Sequence, residues 1–127
     1  MILIDTSAWV EFLRATESPV DHRVQMALSD DVATCDPVRM ELLAGARGDR
    51  EMDIVRRLLS RAIHLSARPS DYDDAALLYR RARKSGLTVR RHIDCLIAAI
   101  AIGEDTPILH ADRDFTALAE CSDLRTC

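Results

Sequence analysis

Carboxylate side chains are the groups in this chain best suited to chemistry, and two of them follow apolar runs. Asp5 comes directly after residues 1–4, and Asp112 comes shortly after residues 107–109. Such runs predict buried strands, and the carboxyl ends of parallel strands form the edge where α/β sheets bind ligands. Crowded carboxylates repel one another unless a cation lies between them, and oxygen ligands suit hard divalent cations. These positions therefore indicate Mg²⁺- or Mn²⁺-dependent chemistry on a phosphate ester.

Two further acids fall inside predicted helices. Asp94 is the single charged residue of the apolar segment 93–102, where a carboxylate is costly unless it is paired, metal-bound or at an exposed rim. It could also be a first-turn acid that the helix dipole stabilises. Glu41 lies in the second turn of its helix, too deep to be a cap. It is therefore either a surface acid or a ligand directed at the strand ends.

Each remaining acid also has an ordinary structural role open to it. Asp5 could cap the next helix, Asp112 could be a turn residue, and Asp114 could cap the last helix or add a fifth oxygen. In a parallel sheet, however, these positions can converge on one cleft that holds one or two divalent ions. The candidate catalytic and metal-binding residues are Asp5, Glu41, Asp94 and Asp112, with Asp114, Thr6 and Ser7 as accessory groups. The two hydroxyls could bond a ligand or the attacking water.

A basic stretch lies between Arg80 and Arg91. It carries six positive charges and no acid, whereas the whole chain has a net charge of −4. Taken alone, such a stretch is typical of a solvated helix face. Beside an acidic metal site it also predicts a track for phosphate groups, because arginine binds phosphate through a planar fork. The basic residues are Arg80, Arg81, Arg83, Lys84, Arg90 and Arg91.

The elements that must position these residues alternate between strands and helices. Strands are predicted at 1–4, 32–35, 62–65 and 108–109, with a possible last strand after Asp123. Helices are predicted around Trp9, from Ser18-Pro19, from Asp36-Pro37, from about Arg50, at 70–84, at 93–102 and around Phe115. This order predicts an α/β fold, a three-layer sandwich with a central parallel sheet of four or five strands flanked by helices.

Two helix starts are predicted from capping patterns. Asp36 precedes Pro37 and is interpreted as a helix cap. Ser70 and Asp73 form a pattern similar to a capping box at the start of the helix that Gly86 ends. The buried face of that helix is predicted to contain Tyr72, Ala75, Ala76, Tyr79 and Ala82.

Composition excludes several other classes of protein. The 127 residues predict one domain, with no apolar run near the roughly 20 residues that span a bilayer and no secretory signal at the start. The four cysteines have no zinc-like spacing and predict reduced thiols in a cytoplasmic protein. There is no glycine-rich phosphate loop and no recognisable Ser–His–Asp arrangement.

Four motifs give the chain a resemblance to a known family. They are residues 4–9, Ile-Asp-Thr-Ser-Ala-Trp; 41–45, Glu-Leu-Leu-Ala-Gly; 94–99, Asp-Cys-Leu-Ile-Ala-Ala; and 110–115, His-Ala-Asp-Arg-Asp-Phe. In this order and spacing they resemble a PIN-domain ribonuclease, and more narrowly the VapC-type toxins of bacterial toxin–antitoxin pairs. The resemblance covers nearly the whole chain.

The resemblance implies a Mg²⁺- or Mn²⁺-dependent endoribonuclease that cuts a structured or translation-related RNA, such as a transfer RNA. Asp5, Glu41, Asp94 and Asp112 would be its acidic quartet, with Asp114 accessory. It also implies a homodimer and a cognate antitoxin, which blocks the cleft while its other half binds operator DNA. RNA contacts would come from Arg83, Lys84, Arg90 and Arg91.

Two positions depart from the common pattern of the family. His110 stands where a small hydroxyl residue is frequent, so that hydroxyl contact is missing. Arg113 lies between Asp112 and Asp114 and is expected to pair with either of them, which leaves the role of Asp114 open.

Other functions remain to be compared with this one. A receiver-type phosphoacceptor domain needs a lysine just after a late strand, but the single lysine, Lys84, ends a helix. A haloacid-dehalogenase-like phosphatase needs a second acid two residues after the first, where this chain has Ser7. A PIN nuclease that processes RNA without an antitoxin, and a catalytically silent PIN-like scaffold, are the alternatives that remain.

Overall fold

Four parallel strands form the centre of the molecule, described here over residues 1–127 by a computed structural model. They are β1 (Ile2–Ile4), β2 (Val32–Cys35), β3 (Ile63–Leu65) and β4 (Ile108–Leu109). Their order in the sheet is β3-β2-β1-β4, and every neighbouring pair is parallel. The predicted α/β sandwich with a central parallel sheet is therefore confirmed, with four strands.

Seven helices flank this sheet. They are α1 (Thr6–Leu13), α2 (Pro19–Ala27), α3 (Asp36–Ala44), α4 (Asp49–Ser60), α5 (Pro69–Lys84), α6 (His92–Gly103) and α7 (Arg113–Glu120). Each predicted helix is present near its predicted place. None of the seven has the length and apolarity that crossing a membrane requires.

The central strands are buried because both of their faces are covered by helices. Leu3 and Ile4 of β1 have no exposed surface, and neither does Ala33 of β2. In the register, Leu3 lies opposite Ala33, and Ile4 lies opposite Leu109. The carboxyl ends of β1 and β4 are therefore level, and the residues that follow them start from the same edge of the sheet.

Helix α6 runs through the core, as its apolar sequence predicted. Ile97, Ala98 and Ala101 are fully buried, and α6 packs along α5 and α7. Small alanine side chains allow neighbouring helices to approach closely. This packing gives α6 a fixed position and so fixes the place of the acid in its first turn, Asp94.

The predicted cap at Asp36 is wrong. Cys35 holds the N-cap position, without a side-chain hydrogen bond, and Asp36 is already the first residue of α3. The Asp36 carboxylate instead contacts His64 Nε2 at 2.7 Å and accepts the Ala67 N–H at 3.2 Å. A partner on β3, distant in sequence, has thus replaced the local cap.

The predicted start of α5 is also wrong. Arg68 is the N-cap residue, Pro69 opens the helix, and the Asp71 carboxylate accepts the Arg68 N–H at 2.8 Å. The buried face is turned relative to the prediction, because Leu78 is buried while Tyr72 is 58% exposed. Periodicity alone could not choose between two neighbouring stripes of apolar residues on this helix.

Three residues of that predicted face behave differently from one another. Ala75 and Ala82 are buried, as expected, whereas Ala76 is exposed and Tyr79 is only partly buried. The end of the helix agrees with the prediction, because Gly86 adopts a φ of 74° just after it. Glycine has no Cβ to oppose this left-handed conformation.

The possible last strand is reduced to one bridge. Thr126 pairs with Ile108 in a parallel isolated bridge, and the Cys127 N–H donates to the Ile108 carbonyl at 3.0 Å. Because β4 itself has only two residues, it offers the tail no room for a longer ladder.

Candidate active site

Acidic side chains from four elements meet at the carboxyl edge of the sheet. Asp5 directly follows β1, and Asp112 follows β4, the strand beside it. Glu41 reaches the same edge because α3 begins as soon as β2 ends. Asp94 arrives from the first turn of α6. The four sequence-predicted acids therefore lie at one edge of the sheet, but only Asp94 and Asp112, joined by Asp114, come close enough together to share an ion.

Asp5 is held by one oxygen and left free at the other. Its Oδ2 accepts the Ser7 N–H at 2.9 Å and the Ser7 hydroxyl at 2.6 Å, so Asp5 caps α1. Its Oδ1 is buried and has no hydrogen-bond partner. Burial raises the pKa of Asp5, while the bonds from Ser7 act in the opposite direction. One oxygen of Asp5 therefore caps a helix, while the other remains available to a ligand.

Ser7 and Thr6 hold the acids in place rather than standing free for a ligand. The Ser7 hydroxyl, besides donating to Asp5, accepts the Ala111 N–H at 2.9 Å and so links the ends of β1 and β4. The Thr6 hydroxyl donates to Glu41 Oε1 at 2.8 Å. Glu41 is only 16% exposed at its side chain, so it is not a freely solvated surface acid.

Asp94 is the most deeply buried of these acids, with no exposed surface. Burial raises its pKa to about 6, although the Arg91 guanidinium opposes this shift. The nearby negative charges of Asp5 and Asp112 raise the pKa further. A carboxyl group that costs so much to ionise in the isolated protein indicates a place where additional positive charge would be stabilising.

Asp112 and Asp114 lie at the start of α7. Asp112 Oδ1 accepts the Asp114 N–H at 2.9 Å, so Asp112 is the cap that the sequence left undecided. Asp114 is buried and is not a cap. One carboxylate oxygen from each of Asp94, Asp112 and Asp114 lies within 4.8 Å of the others. Asp114 is thus part of the acidic cluster itself.

Arg90 and Arg91 turn inward and pair with these acids. Arg91 contacts Glu41 Oε2 at 2.8 Å through Nη1 and Asp94 Oδ1 at 2.9 Å through Nη2. Arg90 contacts Asp112 Oδ1 at 3.0 Å and Asp114 Oδ2 at 3.1 Å. Two of the four predicted RNA-binding residues are therefore bound to carboxylates in this structure.

The other two, Arg83 and Lys84, lie on a different surface. They border a groove of about 710 Å³ between α5 and α6, together with Tyr79 and His92. The Arg83 guanidinium lies over the Tyr79 ring, 5.8 Å from its centroid. The predicted basic strip is thus divided between the acidic cleft and this groove.

The expected pairing of Arg113 is wrong, and His110 has a structural role. Arg113 is exposed and makes no ion pair, because Arg90 occupies both neighbouring carboxylates. His110 Nδ1 is 3.2 Å from the Asp112 backbone N–H, and its ring packs against Phe115 at 5.4 Å. Burial lowers the pKa of His110, which favours its neutral form as an acceptor.

The residues present fit a divalent metal ion. The donor set consists of carboxylate oxygens, the ligands that Mg²⁺ and Mn²⁺ prefer. The unpartnered Asp5 Oδ1 is a buried acceptor that no protein donor satisfies, which is costly unless a cation or donor approaches it. An ion in the cleft would be held by Asp5, Asp94, Asp112 and Asp114, with Glu41 at its margin.

Sequence reasoning missed the pairing of the two arginines with the acids. One signal was present, because Arg91 and Asp94 are three residues apart at the start of a helix, where such side chains face each other. The contacts of Arg90 with Asp112 and Asp114 join residues more than 20 positions apart. No local pattern could have revealed them.

Comparisons with known proteins agree with this fold. The PIN domain family matches residues 2–120. Ribonuclease VapC11 of Mycobacterium tuberculosis is 43% identical over 129 aligned positions, covering 98% of this chain and 96% of that protein. The resemblance found in the sequence motifs is therefore confirmed over the whole chain.

Two solved structures share the fold. VapBC2 from Rickettsia felis, bound to a DNA fragment from its promoter, matches with a TM-score of 0.74 at 17% identity, over 100% of this chain and 98% of that chain. Mycobacterium tuberculosis VapC20, a Sarcin-Ricin loop cleaving toxin, matches with a TM-score of 0.72 at 19% identity, over 98% and 99%. On its family match and its whole-length relative, this chain belongs to the PIN domain family, in the VapC ribonuclease branch.

Proposed function

We propose that this protein is a Mg²⁺- or Mn²⁺-dependent endoribonuclease that acts as the toxin of a toxin–antitoxin pair. The observation that carries the proposal is the cluster of Asp94, Asp112 and Asp114, with the buried, unpartnered Asp5 Oδ1 on a carboxylate close enough to raise the pKa of Asp94. The family membership supports the choice of RNA as substrate, because its whole-length relative is a ribonuclease.

The proposed reaction is hydrolysis of a phosphodiester bond. A divalent ion in the cleft would neutralise charge on the scissile phosphate and acidify the attacking water. Glu41 and Asp112 lie nearer to solvent than Asp94, and their negative charge would attract the ion into the cleft. In the metal-free protein burial raises the pKa of Asp94 to about 6, so Asp94 is ionised at neutral pH and would hold the ion. Thr6 and Ser7 keep Glu41 and Asp5 in place throughout.

The proposed substrate is a structured or translation-related RNA, such as a transfer RNA. The name of VapC20, a fold relative, refers to cleavage of the Sarcin-Ricin loop, which supports a structured target. The groove between α5 and α6, with Arg83 and Lys84 on its rim, offers positive charge to parts of a long RNA backbone outside the cleft.

The proposed inhibitor is a cognate antitoxin that covers the cleft and binds operator DNA through its other half. A groove of about 590 Å³ between α1, α3 and α4 supports this, because Thr6 and Glu41 lie in its wall. A segment bound along it would reach the acids directly. That the protein with the same fold from Rickettsia felis was solved with promoter DNA supports the link to DNA.

The proposed homodimer uses the outward face of α5. This helix exposes Tyr72 and Leu77. Its first half carries Asp73 and Asp74, and its second half carries Arg80 and Arg81, which leaves Arg83 and Lys84 for the RNA. Two copies packed antiparallel would place unlike charges opposite each other. Light scattering should report a molar mass of twice that of the chain. Charge reversal of Asp73 and Asp74 should reduce the measured mass to that of a single chain.

The test of the proposed activity uses Asp94→Asn, purified beside the wild type. We expect the wild type to cleave a mixture of transfer RNAs with Mg²⁺ or Mn²⁺ present and to stop when EDTA removes the ion. The variant should remain folded and inactive. Full cleavage by the variant, or by the wild type in EDTA, would contradict the proposal.

The second candidate is a PIN nuclease that processes RNA without an antitoxin, and the silent scaffold is the third. Co-expression with the neighbouring gene separates the first two: a toxin arrests growth unless that gene product is present and forms a complex with it. A processing enzyme would leave growth unaffected. Absence of cleavage under every metal condition would favour the scaffold.

A further inference from the structure

Arg90 and Arg91 occupy the side of the acidic cluster that faces solvent. Their side chains are 55% and 52% exposed, whereas those of Asp94 and Asp114 are 0% and 3% exposed. The two guanidinium groups therefore lie above the carboxylates, between them and the solvent. Any phosphate that approaches the cleft meets these two groups first.

The two arginines also take the oxygens that an ion would need. The three acids whose oxygens come within 4.8 Å of one another are all paired with them: Arg91 with Asp94, and Arg90 with Asp112 and Asp114. A guanidinium and a divalent cation cannot both take the best geometry on the same oxygens. Binding of the ion must therefore compete with these ion pairs.

Charge explains why the pairs form. Together with Asp5 and Glu41 the cluster contains five carboxylates, and without a counter-charge their mutual repulsion would oppose folding. Two arginines reduce the formal charge from −5 to −3. They come from the short irregular segment 87–91 between α5 and α6, and their side chains are about half exposed, so the guanidinium groups can move without disturbing the core.

We propose that Arg90 and Arg91 are counter-ions that a divalent ion can replace. In the metal-free protein they pair with the carboxylates of the cation site, and when the divalent ion binds there they contact the RNA phosphate instead. This inference rests on the proposed cation site but not on cleavage. The arginines would be positioning residues whose partners change from carboxylate to phosphate. Metal binding and RNA binding then reinforce each other, because the ion releases the groups that grip the backbone.

The first test measures Mn²⁺ affinity by calorimetry, without RNA, in the full chain. Arg90→Ala/Arg91→Ala should bind Mn²⁺ about tenfold more tightly than the wild type, because the competing cations are gone. The matched control is Arg57→Ala/Arg61→Ala, which removes the same charge from two exposed arginines that make no ion pair and lie at the end of α4, ahead of β3 and so at the opposite edge of the sheet. It should change the affinity less than about twofold, as a distant screened charge does.

The outcomes separate this inference from the proposed function. An unchanged or weaker Mn²⁺ affinity in the double variant overturns the exchange, while Mn²⁺ binding by the wild type leaves the cation site standing. No Mn²⁺ binding by the wild type overturns both. An equal gain in the control overturns the exchange as well, because the effect would then be one of net charge alone.

A second measurement avoids any risk that the variant misfolds. In the wild type, the Nε–H signals of Arg90 and Arg91 are followed by NMR while Mg²⁺ is added. We expect both to lose their hydrogen-bonded shifts, whereas Arg125, paired with Asp105 at 2.9 Å and equally exposed, should not change. Signals of Arg90 and Arg91 that stay unchanged at saturating Mg²⁺ would overturn the exchange.

Discussion

The two halves of the basic segment between Arg80 and Arg91 are similar in composition and different in surroundings. The half on α5 ends in Arg83 and Lys84, which border an apolar groove and contact no acid. The half in the following segment, Arg90 and Arg91, pairs with four carboxylates. The difference shows that charge in a sequence does not define a binding surface until the fold supplies its neighbours.

The turn at Gly86 produces this difference. Its φ of 74° redirects the chain after α5, so that the next residues cross to the carboxyl edge of the sheet. Arg83 and Lys84 remain on the helix that the turn ends. Arg83 and Lys84 therefore have no acidic partner that a ligand must displace, whereas Arg90 and Arg91 pair with carboxylates that a ligand must replace.

The largest effect is expected from Asp94→Asn, which removes the partner of Arg91. Cleavage should fall roughly a thousandfold, because the ion loses a ligand. The metal-free fold should become more stable at pH 7, by roughly 1 kcal/mol or about 3 °C in Tm. A folded pKa of about 6 lies above the unfolded value of 3.8, so stability from this group is lost as pH rises through that range.

Rates on transfer RNA and thermal melts in EDTA check both parts of this prediction. The control is Asp71→Asn, another buried acid that caps α5 far from the cleft, which should melt earlier and still cleave. Activity near the wild-type level in Asp94→Asn would remove Asp94 from the site.

The second largest effect is expected from Arg90→Ala/Arg91→Ala. Cleavage should fall about 30-fold, since the charges that meet the phosphate are lost while the acids remain. Initial rates at saturating Mg²⁺, where tighter ion binding makes no difference, provide the measurement. Rates within twofold of the wild type would show that these arginines serve only the metal-free protein.

A third effect follows from pH. Cleavage at low Mg²⁺ should fall as pH drops below about 6, by roughly tenfold per unit, because protonated Asp94 does not hold a cation. Since the ion competes with the proton, a higher Mg²⁺ concentration should move the midpoint to lower pH. Cleavage rates from pH 5 to 8 at two Mg²⁺ concentrations test this prediction. A pH midpoint that is the same at both concentrations would contradict the assignment of Asp94 as a ligand.

The smallest effect is expected from Arg83→Ala/Lys84→Ala on the α5 half. RNA affinity should fall about threefold at moderate salt, and the slope of its salt dependence should decrease by about 1.4, as for two phosphate contacts on a single strand. Cleavage at saturating RNA should be unchanged. If this pair affected cleavage more than Arg90 and Arg91 did, the comparison between the two halves would be reversed.

The sequence predicted the fold and most positions of the acids because those depend on local patterns. Apolar runs of three or four residues, followed by Asp5 or Asp112, place acids at strand ends whatever the details of packing. Glu41 and Asp94 were less certain, because their helices had to pack in one particular way. Their place in the cleft became visible only with the buried position of α6 and the start of α3 directly after β2.

Contacts between distant residues could not be predicted. The bond of Asp36 to His64 displaced a local cap, and Arg90 displaced Arg113 as the partner of Asp112. In both cases a competing partner lies more than 20 residues away. The exposed face of α5 was misjudged for a related reason, because a helix with apolar residues on two sides can bury either one.

The most direct test is diffraction from crystals soaked in Mn²⁺, with anomalous scattering to locate the ion. We predict a Mn²⁺ peak within about 2.3 Å of carboxylate oxygens of Asp5 and Asp94, with Arg91 withdrawn from Asp94. A structure without a peak in the cleft at saturating Mn²⁺, with the arginines still on the acids, would contradict the claim that these carboxylates share a cation.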